Sequence, residues 1–253
     1  MNKPYFESNS SILYFGDCVK TLKKIGDKTI DLIFADPPYF LSSGGVSCHS
    51  GKQVSVNKAD WDKSITIEEK IKFSKKWISE CRRVLKDNGT IWISGTLHNI
   101  YSIGVALEKT GFSIINNITW QKPNPAPNLA CRCFTNSTET ILWARKQLTP
   151  KKKGKHYFNY SLMKEINGNK QMKDVWTINL PRKEEKKHGK HPTQKPVDLL
   201  LRILEASTKE NDLVLDPFCG SSTTGVACKI LKRRYIGIDN KKEYLDISIK
   251  RLV

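Results

Sequence analysis

The feature that most constrains the fold is a short apolar strand that runs into a turn of small residues and then opens a helix. The chain reads LVLDPFCGSSTTGVA over residues 213–227, and a second apolar strand follows over residues 234–239. A strand, a tight turn and a helix in this order bring backbone N–H groups to the edge of a parallel sheet, where they approach a nucleotide-like ligand. Asp239 lies 19 residues beyond Gly220, close to the offset of ~20 residues at which an acidic side chain reaches ribose hydroxyls. These features predict a βαβ unit that binds an adenosine-containing cofactor.

The same alternation of strand and helix recurs along the chain. Other short apolar strands are predicted over residues 29–35, 90–94, 113–120, 140–144 and 212–216, and helices over residues 65–85, 197–207 and 222–231. The sequence Lys-Asp-Asn-Gly at residues 86–89 predicts that the first helix stops in a turn before the next strand. Apolar strands that alternate with helices are typical of an α/β fold with a buried, mostly parallel sheet and helices on both faces.

The charge of the chain favours a polyanionic partner. Among 253 residues, 43 Lys or Arg face 25 Asp or Glu, a net charge of +18, and an excess of this size is typical of proteins that bind nucleic acid. Residues 146–195 alone hold 14 Lys or Arg and 4 Asp or Glu, with aromatic residues between them. Cationic side chains neutralise phosphates and aromatic rings pack or stack on bases, so we interpret this segment as a nucleic-acid-contacting insertion. A solvated, flexible loop region is the alternative.

Cysteine usage and hydropathy exclude several other classes. The chain has seven Cys and no C-x-x-C, and the nearest approach to a metal signature is Cys131-x-Cys133. Usual zinc ligands are spaced C-x₂₋₄-C, so no metal site and no disulfide framework are expected. No apolar run approaches the ~20 residues that span a bilayer, and the N-terminus lacks the apolar segment of a signal peptide. We therefore expect no membrane partner and a cytoplasmic location.

A second motif, Asp36-Pro37-Pro38-Tyr39, follows the predicted strand 29–35 directly. Two prolines remove backbone donors and stiffen the turn. The Asp36 carboxylate and the Pro37 carbonyl are then held at fixed positions at the sheet edge, with Tyr39 beside them. An isolated Pro-Pro turn would only end a strand, whereas this combination of acid, carbonyl and aromatic ring indicates a site.

The two motifs together resemble those of the amino-methyltransferases that act on exocyclic nitrogens of DNA bases. They read Asp-Pro-Pro-Tyr at residues 36–39 and Asp-Pro-Phe-x-Gly-Ser-x-Thr-Thr at residues 216–224. The catalytic motif comes first and a basic segment lies between the two, an order that resembles the beta class. The sequence as a whole is most similar to the second modification methylases of Dpn-type type II restriction systems, which act on adenine N6 in GATC.

This resemblance implies a Rossmann-like methyltransferase fold, S-adenosylmethionine as the cofactor and DNA as the partner. It also implies three parts of the chain. Residues 1–120 would form the catalytic half of the α/β domain, residues 121–190 a basic insertion for target recognition, and residues 191–253 the cofactor-binding half. A homodimer is compatible with the family. Residues 124–132 and the basic insertion would recognise the DNA sequence, and residues 41–60 are expected to order over the DNA.

The resemblance further assigns catalytic roles. Asp36 and the Pro37 carbonyl would accept the two N6 hydrogens of an adenine that is flipped out of the duplex, and Tyr39 would stack on the base. Pro38 completes the motif. Direct in-line transfer follows, so no cysteine needs to act as a nucleophile.

Cofactor binding is assigned in the same way. The residues expected to bind S-adenosylmethionine are Asp17, Cys18, Thr193, Lys195, Asp216, Pro217, Phe218, Gly220, Ser222, Thr223 and Asp239. Asp239 would hold the ribose hydroxyls, Thr193 and Lys195 would approach the methionine carboxylate, and Asp17 would receive the adenine amino group. Asp17 is also placed to cap the following helix. The family usually has Gly where this chain has Ser222, so we expect a slightly different turn there.

Three alternatives stay open at this point. Cytosine N4 methylation uses the same architecture with Ser commonly in place of Asp, and Asp36 therefore favours adenine. A non-catalytic nucleic-acid-binding protein on the same scaffold would not need the intact Asp36–Tyr39 motif. A dinucleotide oxidoreductase is disfavoured because the chain lacks the G-x-G-x-x-G pattern.

Overall fold

A computed structural model describes residues 3–40, 46–49, 52–55, 65–129, 131–149, 152–153, 155–189 and 191–253. The strands are β1 (Phe6–Glu7), β2 (Ser11–Phe15), β3 (Ile30–Ala35), β4 (Val46–His49), β5 (Lys52–Ser55), β6 (Leu85–Gly95), β7 (Phe112–Gln121), β8 (Thr138–Thr149), β9 (Lys152–Lys153), β10 (Val175–Thr177), β11 (Leu213–Asp216) and β12 (Arg234–Asp239). The helices are α1 (Cys18–Leu22), α2 (Ile67–Val84), α3 (Ile100–Lys109), α4 (Tyr160–Glu165), α5 (Val197–Ser207), α6 (Thr223–Ile230) and α7 (Lys242–Leu252).

One large sheet organises the described part of the chain. Its strands lie in the order β1-β2-β12-β11-β3-β6-β8-β7-β10, with β9 paired to β8, and β4 and β5 form a separate hairpin. Five adjacent strands, β2, β12, β11, β3 and β6, are parallel to one another. β8 is antiparallel to both β6 and β7, and β1 is antiparallel to β2. The prediction of a mostly parallel sheet is confirmed.

Helices cover both faces of this sheet because the side chains of each buried strand alternate in direction. In β3, Leu32 and Phe34 enter the core that contains residues of α5, α6 and α7. Ile33 and Ala35 enter a second core, which contains residues of α1, α2 and α3. The fold is the Rossmann-like α/β arrangement expected from the alternating elements.

The strand order locates a crevice between β3 and β11. From β11 the chain passes through α6 to β12 on one side, whereas from β3 it passes through α2 to β6 on the other side and across the opposite face. Ligands of open α/β sheets bind at such a reversal, outside the carboxyl ends of the strands. The motif of residues 36–39 and the turn after β11 meet at this edge.

The predicted turn at residues 86–89 is the clearest departure from the expected elements. The helix before it begins at a capping box of Thr66 and Glu69 and ends at Val84, but the four residues lie within β6 as an irregularity. Leu85 pairs with Ile30 and Thr90 pairs with Leu32. A Cβ at Gly89 would lie 2.7 Å from the Asp31 carbonyl oxygen, so the close approach of the backbone at Asp31 requires glycine there.

The segment 121–190 is partly integrated into the sheet. Its strand β8 lies between β6 and β7, and β10 extends the sheet beyond β7. Because the sheet contains strands from both sides of residue 121, the boundary there stays a prediction about function. Most of residues 41–60 lie outside the described residues. The prediction that this segment orders over DNA therefore concerns residues outside the described ranges. No helix in the described ranges is long and apolar enough to cross a membrane.

Candidate active site

A cleft opens at the carboxyl edge of the parallel strands and holds about 830 Å³, its open mouth included. Seven of the expected cofactor-binding residues line it, namely Asp17, Cys18, Thr193, Pro217, Phe218, Gly220 and Asp239. The catalytic-motif residues Asp36 and Pro38 also line it. The structure thus brings both motifs to one cavity.

Asp239 is held at the bottom of the turn that follows β11. Its Oδ2 accepts a hydrogen bond from the Gly220 N–H at 2.9 Å, and its Oδ1 accepts one from the Lys241 N–H at 2.9 Å. Burial raises the pKa of Asp239 to about 6. Gly220 has φ of +50°, and a Cβ there would lie 2.9 Å from His191 Nε2. Glycine is therefore required for the turn to approach both the carboxylate and the cleft.

Asp216, the last residue of β11, holds the turn from inside. It is 3% exposed, and it accepts hydrogen bonds from the Phe218 N–H at 3.1 Å and from Thr224 Oγ1 at 2.6 Å. Burial raises its pKa to about 7. Asp216 lines a smaller cavity beside the main cleft, together with Thr223. These hydrogen bonds indicate that Asp216 stabilises the conformation of the turn.

Ser222 does not reach the cleft, in contrast to the expectation of a cofactor contact. It is fully buried and has the left-handed φ of +55°, and its Oγ accepts a hydrogen bond from the Tyr235 hydroxyl at 3.3 Å. The left-handed backbone favours glycine, which explains the usual residue of the resembled family at this position. The Ser222 hydroxyl is bonded inside the core, and the expectation of a slightly different turn stays a prediction.

Asp17 combines the two roles considered for it. Its Oδ1 accepts a hydrogen bond from the Lys20 N–H at 2.9 Å and so caps α1. The residue also lines the cleft, beside Cys18, whose pKa is raised to about 12, mainly by burial. The thiol therefore stays protonated and serves as part of an apolar wall.

The catalytic motif is fixed by contacts on all sides. Asp36 Oδ1 accepts a hydrogen bond from the Tyr39 hydroxyl at 2.6 Å, and Oδ2 accepts one from Lys195 Nζ at 2.6 Å. The Pro38 carbonyl accepts a hydrogen bond from Asn99 Nδ2 at 3.1 Å. Asn99 is in turn anchored through its Oδ1 to the Thr96 N–H at 2.9 Å. The sequence analysis did not identify Asn99, because its link to the motif spans 61 residues.

Lys195 is held by two acids of the site. It is 6% exposed and forms ion pairs with Asp36 at 2.6 Å and with Glu139 at 3.6 Å. Burial lowers the pKa of Lys195, but the two carboxylates outweigh burial, and the pKa is raised overall. Its ammonium is therefore held against the catalytic carboxylate, and the expected contact with the methionine carboxylate stays a prediction.

Glu139 is the main site residue that sequence reasoning missed. Its Oε2 accepts a hydrogen bond from the Tyr39 hydroxyl at 3.2 Å, and its Oε1 pairs with Lys122 at 2.6 Å. Burial raises the pKa of Glu139, whereas Lys195 and Lys122 lower it by more, so the net shift is downward. Ser94 Oγ lies 3.1 Å from the same Tyr39 oxygen. Glu139 and Ser94 come together near Asp36 because β8 lies beside β6. No local sequence signal marks this pairing of strands.

His191 lines the cleft, as do the two aromatic rings of Phe73 and Phe218. Its ring packs on Tyr244 at a centroid distance of 4.3 Å. Burial, then Lys195 and Arg251, lower the pKa of His191 to about 4, so the imidazole is neutral near pH 7. The histidine lies two residues before Thr193, a predicted cofactor-binding residue, but the sequence analysis gave it no role.

The donor set of the cleft fits S-adenosylmethionine. A fixed carboxylate, Asp239, suits the two ribose hydroxyls, and a second, Asp17, suits an exocyclic amino group. The rings of Phe73 and Phe218 offer apolar surface for a purine. The Asp36 carboxylate lines the same cleft, and an acidic lining residue suits a cationic methyl donor.

Comparisons with known proteins agree with this geometry. A family model described as DNA methylase, covering N6 and N4 methyltransferases, matches residues 30–250. The chain is 63% identical over 252 residues to the type II methyltransferase M2.LlaDCHI of Lactococcus lactis subsp. cremoris, and 63% identical over 252 residues to M2.DpnII of Streptococcus pneumoniae. Each alignment covers 100% of this chain and 93% of the relative.

A solved structure supports the cofactor assignment. The fold superposes on the crystal structure of an M1.HpyAVI–SAM complex with a TM-score of 0.69 and 30% sequence identity, covering 96% of this chain and 98% of that one. With a family match over most of the chain and relatives of this identity, the prediction drawn from the two motifs is confirmed. The chain belongs to the N6/N4 DNA methylase family, and it is a site-specific DNA methyltransferase that uses S-adenosylmethionine.

Proposed function

We propose that this enzyme methylates N6 of adenine within GATC, as a modification enzyme of a type II restriction–modification system. The observation that carries the proposal is the carboxylate of Asp36 at the mouth of the cofactor cleft, followed by the Pro37 carbonyl. The GATC site is supported by the similarity of the whole sequence to Dpn-type second methylases. The acceptor type is supported by a carboxylate, where N4 enzymes commonly have Ser.

The chemical problem is that an adenine amino group is a poor nucleophile, because its lone pair is delocalised into the ring. Asp36 and the Pro37 carbonyl accept its two hydrogens, which favours a pyramidal nitrogen with its lone pair directed at the cofactor. Bound S-adenosylmethionine supplies an activated methyl group on a positively charged sulfur. As positive charge develops on N6, the Asp36 carboxylate stabilises it through a hydrogen bond that is already oriented.

Entry of the adenine requires a change at Tyr39. Its hydroxyl donates to Asp36 Oδ1 at 2.6 Å and its side chain is 7% exposed. We infer that the extruded base displaces this hydroxyl from Asp36 and that the ring then stacks on the base, as the resemblance implies. The extruded base also exchanges its stacking in the duplex for contact with an aromatic ring, which offsets part of the cost of flipping.

DNA contact is supported by the loop that joins β7 and β8. Phe134 at its tip is 97% exposed, and the preceding residue, Cys133, is held by hydrogen bonds from Asn128 Nδ2 to its carbonyl at 2.8 Å and to its Sγ at 2.9 Å. The loop leaves the sheet beside Glu139, at the edge that carries the active site. An aromatic side chain presented on an anchored turn suits packing against bases or between them.

We further propose that the enzyme acts in the cytoplasm, and a homodimer stays a prediction from the resemblance.

The test is methyl transfer from labelled S-adenosylmethionine to two duplexes that differ only at the adenine of GATC, which is replaced by guanine in the second. We expect label only in the GATC duplex, and none with the Asp36→Ala variant, whose cofactor binding is checked separately. Equal labelling of both duplexes would refute the site while retaining the chemistry. Absence of labelling on any DNA would refute the proposed function.

A further inference from the structure

Four charged side chains form a buried cluster at the catalytic motif, which we call the carboxylate–lysine cluster: Asp36, Lys195, Glu139 and Lys122. Lys195 bridges the two acids, at 2.6 Å from Asp36 Oδ2 and 3.6 Å from Glu139 Oε2. Lys122 lies 2.6 Å from Glu139 Oε1. All four side chains are less than one-fifth exposed, and their formal charges sum to zero. A neutral sum is what makes such a buried set tolerable.

The acids that surround the Lys195 ammonium are Asp36 and Glu139, both members of the cluster. Thr193, two residues earlier, lines the main cleft, whereas Lys195 lines a smaller adjoining cavity together with Asp36 and Asp216. An ammonium has three donors, and two acids occupy its surroundings. A methionine carboxylate within reach of Lys195 would have to share the ammonium with Asp36 and Glu139, and this third acid would add a negative charge to a set whose formal charges otherwise cancel.

We propose that Lys195 and Glu139 are positioning residues for methyl transfer, which hold Asp36 as an ionised hydrogen-bond acceptor aimed at the base amino group. Lys195 fixes Oδ2, so that Oδ1 is the oxygen presented to the base when Tyr39 moves. Glu139, neutralised by Lys122, fixes Lys195 from the other side and accepts a hydrogen bond from the Tyr39 hydroxyl at 3.2 Å. This inference rests on the proposed function, since it gives the acceptor its orientation and charge.

The charge balance of the cluster predicts how loss of Lys195 changes the pH dependence of methyl transfer. If Lys195 is replaced by a neutral residue, the cluster has a net charge of −1 in a buried place, and binding one proton restores neutrality. A protonated carboxyl group donates rather than accepts a hydrogen bond, so the amino group of the base loses its acceptor. The other ionisable groups that face the cluster do not supply the missing charge, because Asp216 is acidic and His191 is neutral near pH 7. The acid limb of the rate profile must then move to higher pH.

The experiment compares wild-type enzyme with Lys195→Met and Glu139→Gln, using single-turnover methylation of the GATC duplex across pH and the Kd for S-adenosylmethionine. The matched control is Lys146→Met. Lys146 is the first residue of the basic segment 146–195, but it is 3% exposed and donates to the carbonyl of Leu85, the first residue of β6, whereas Glu139 on β8 lies near the other end of β6. It reports the general effect of losing a buried lysine. Circular dichroism of each variant confirms folding before kinetics.

We expect Lys195→Met to slow the single-turnover rate by about 100-fold, the size of loss typical of a misplaced catalytic group. Its acid limb should lie at higher pH than that of the wild type, and its Kd for the cofactor should stay within about twofold. Glu139→Gln removes a negative charge and should slow transfer while moving the acid limb to lower pH. Lys146→Met should leave the rate profile in place.

A Kd for S-adenosylmethionine that rises about tenfold or more in Lys195→Met, with an unshifted pH profile, would overturn the inference and assign Lys195 to the cofactor. An unchanged rate would also overturn it. If Lys195→Met does not fold, Glu139→Gln decides by the direction of its acid limb. Wild-type enzyme that fails to methylate any DNA would refute the proposed function instead, and the two failures are therefore distinguishable.

Discussion

Asp216 should make the stability of this enzyme depend on pH in an unusual direction. Its carboxyl group is 3% exposed, and burial raises its pKa from 3.8 to about 7. The native state therefore holds the proton more tightly than the unfolded chain does. The stabilising effect is present in full below the unfolded pKa of 3.8 and is lost as the pH rises through about 7. A shift of about three pKa units corresponds to about 4 kcal/mol in the free energy of unfolding.

The variant Asp216→Asn isolates this contribution, because an amide has a similar shape and no charge to bury. The asparagine keeps an acceptor for the Phe218 N–H and faces Thr224 Oγ1 with its amide nitrogen, so part of the change in stability is independent of pH. From about pH 5 to about pH 8, the wild type should lose about 2.5 kcal/mol relative to the variant.

Urea denaturation of the two proteins at both pH values measures this difference directly. Comparison of the pair cancels the contributions of other ionisable groups, among them Asp239, whose pKa burial also raises. A difference between wild type and variant that is the same at both pH values would refute the reasoning, since it would mean that Asp216 ionises equally easily in the native and unfolded states.

Three further predictions concern function. Asp36→Ala should slow methyl transfer by about 100- to 1,000-fold, the cost of removing a preorganised acceptor, while calorimetry shows cofactor binding preserved; equal loss of both would contradict the assigned role. Asp239→Asn should weaken S-adenosylmethionine by about 10- to 100-fold, because a charge-assisted pair of hydrogen bonds is lost, without weakening DNA binding in a gel-shift titration. Phe134→Ala should weaken binding of a GATC duplex by about tenfold, measured by fluorescence anisotropy. Ile230→Ala, at an exposed apolar position at the C-terminal end of α6, should not; equal effects would argue against a role for the loop.

The sequence predicted the parallel core of the sheet because its strands are buried on both faces and carry a continuous apolar pattern. The strand predicted over residues 212–216 is observed at Leu213–Asp216, and that over residues 234–239 at Arg234–Asp239. The helix α3 (Ile100–Lys109) and the short strand β10 (Val175–Thr177) were not predicted. Such elements depend on packing against neighbours that are distant in the sequence, which local patterns do not report.

The site was predictable where a motif is continuous and not where it is assembled by the fold. Asp36, Gly220 and Asp239 lie where their motifs indicated, at one edge of the sheet. The hydrogen bond from Lys195 to Asp36 joins residues 159 apart. Glu139 lies on β8, an antiparallel strand within the predicted insertion 121–190. The electrostatic surroundings of the catalytic carboxylate therefore became visible only in three dimensions.

The central claim is that the Asp36 carboxylate directs methylation to an adenine amino group. The most direct test is to methylate GATC-containing duplex DNA with the purified enzyme, digest it to nucleosides and identify the methylated base by mass spectrometry. We predict N6-methyladenine from the wild type and unmodified nucleosides from Asp36→Ala. Recovery of N4-methylcytosine would contradict the account, because a carboxylate at this position would then serve the other exocyclic amino group.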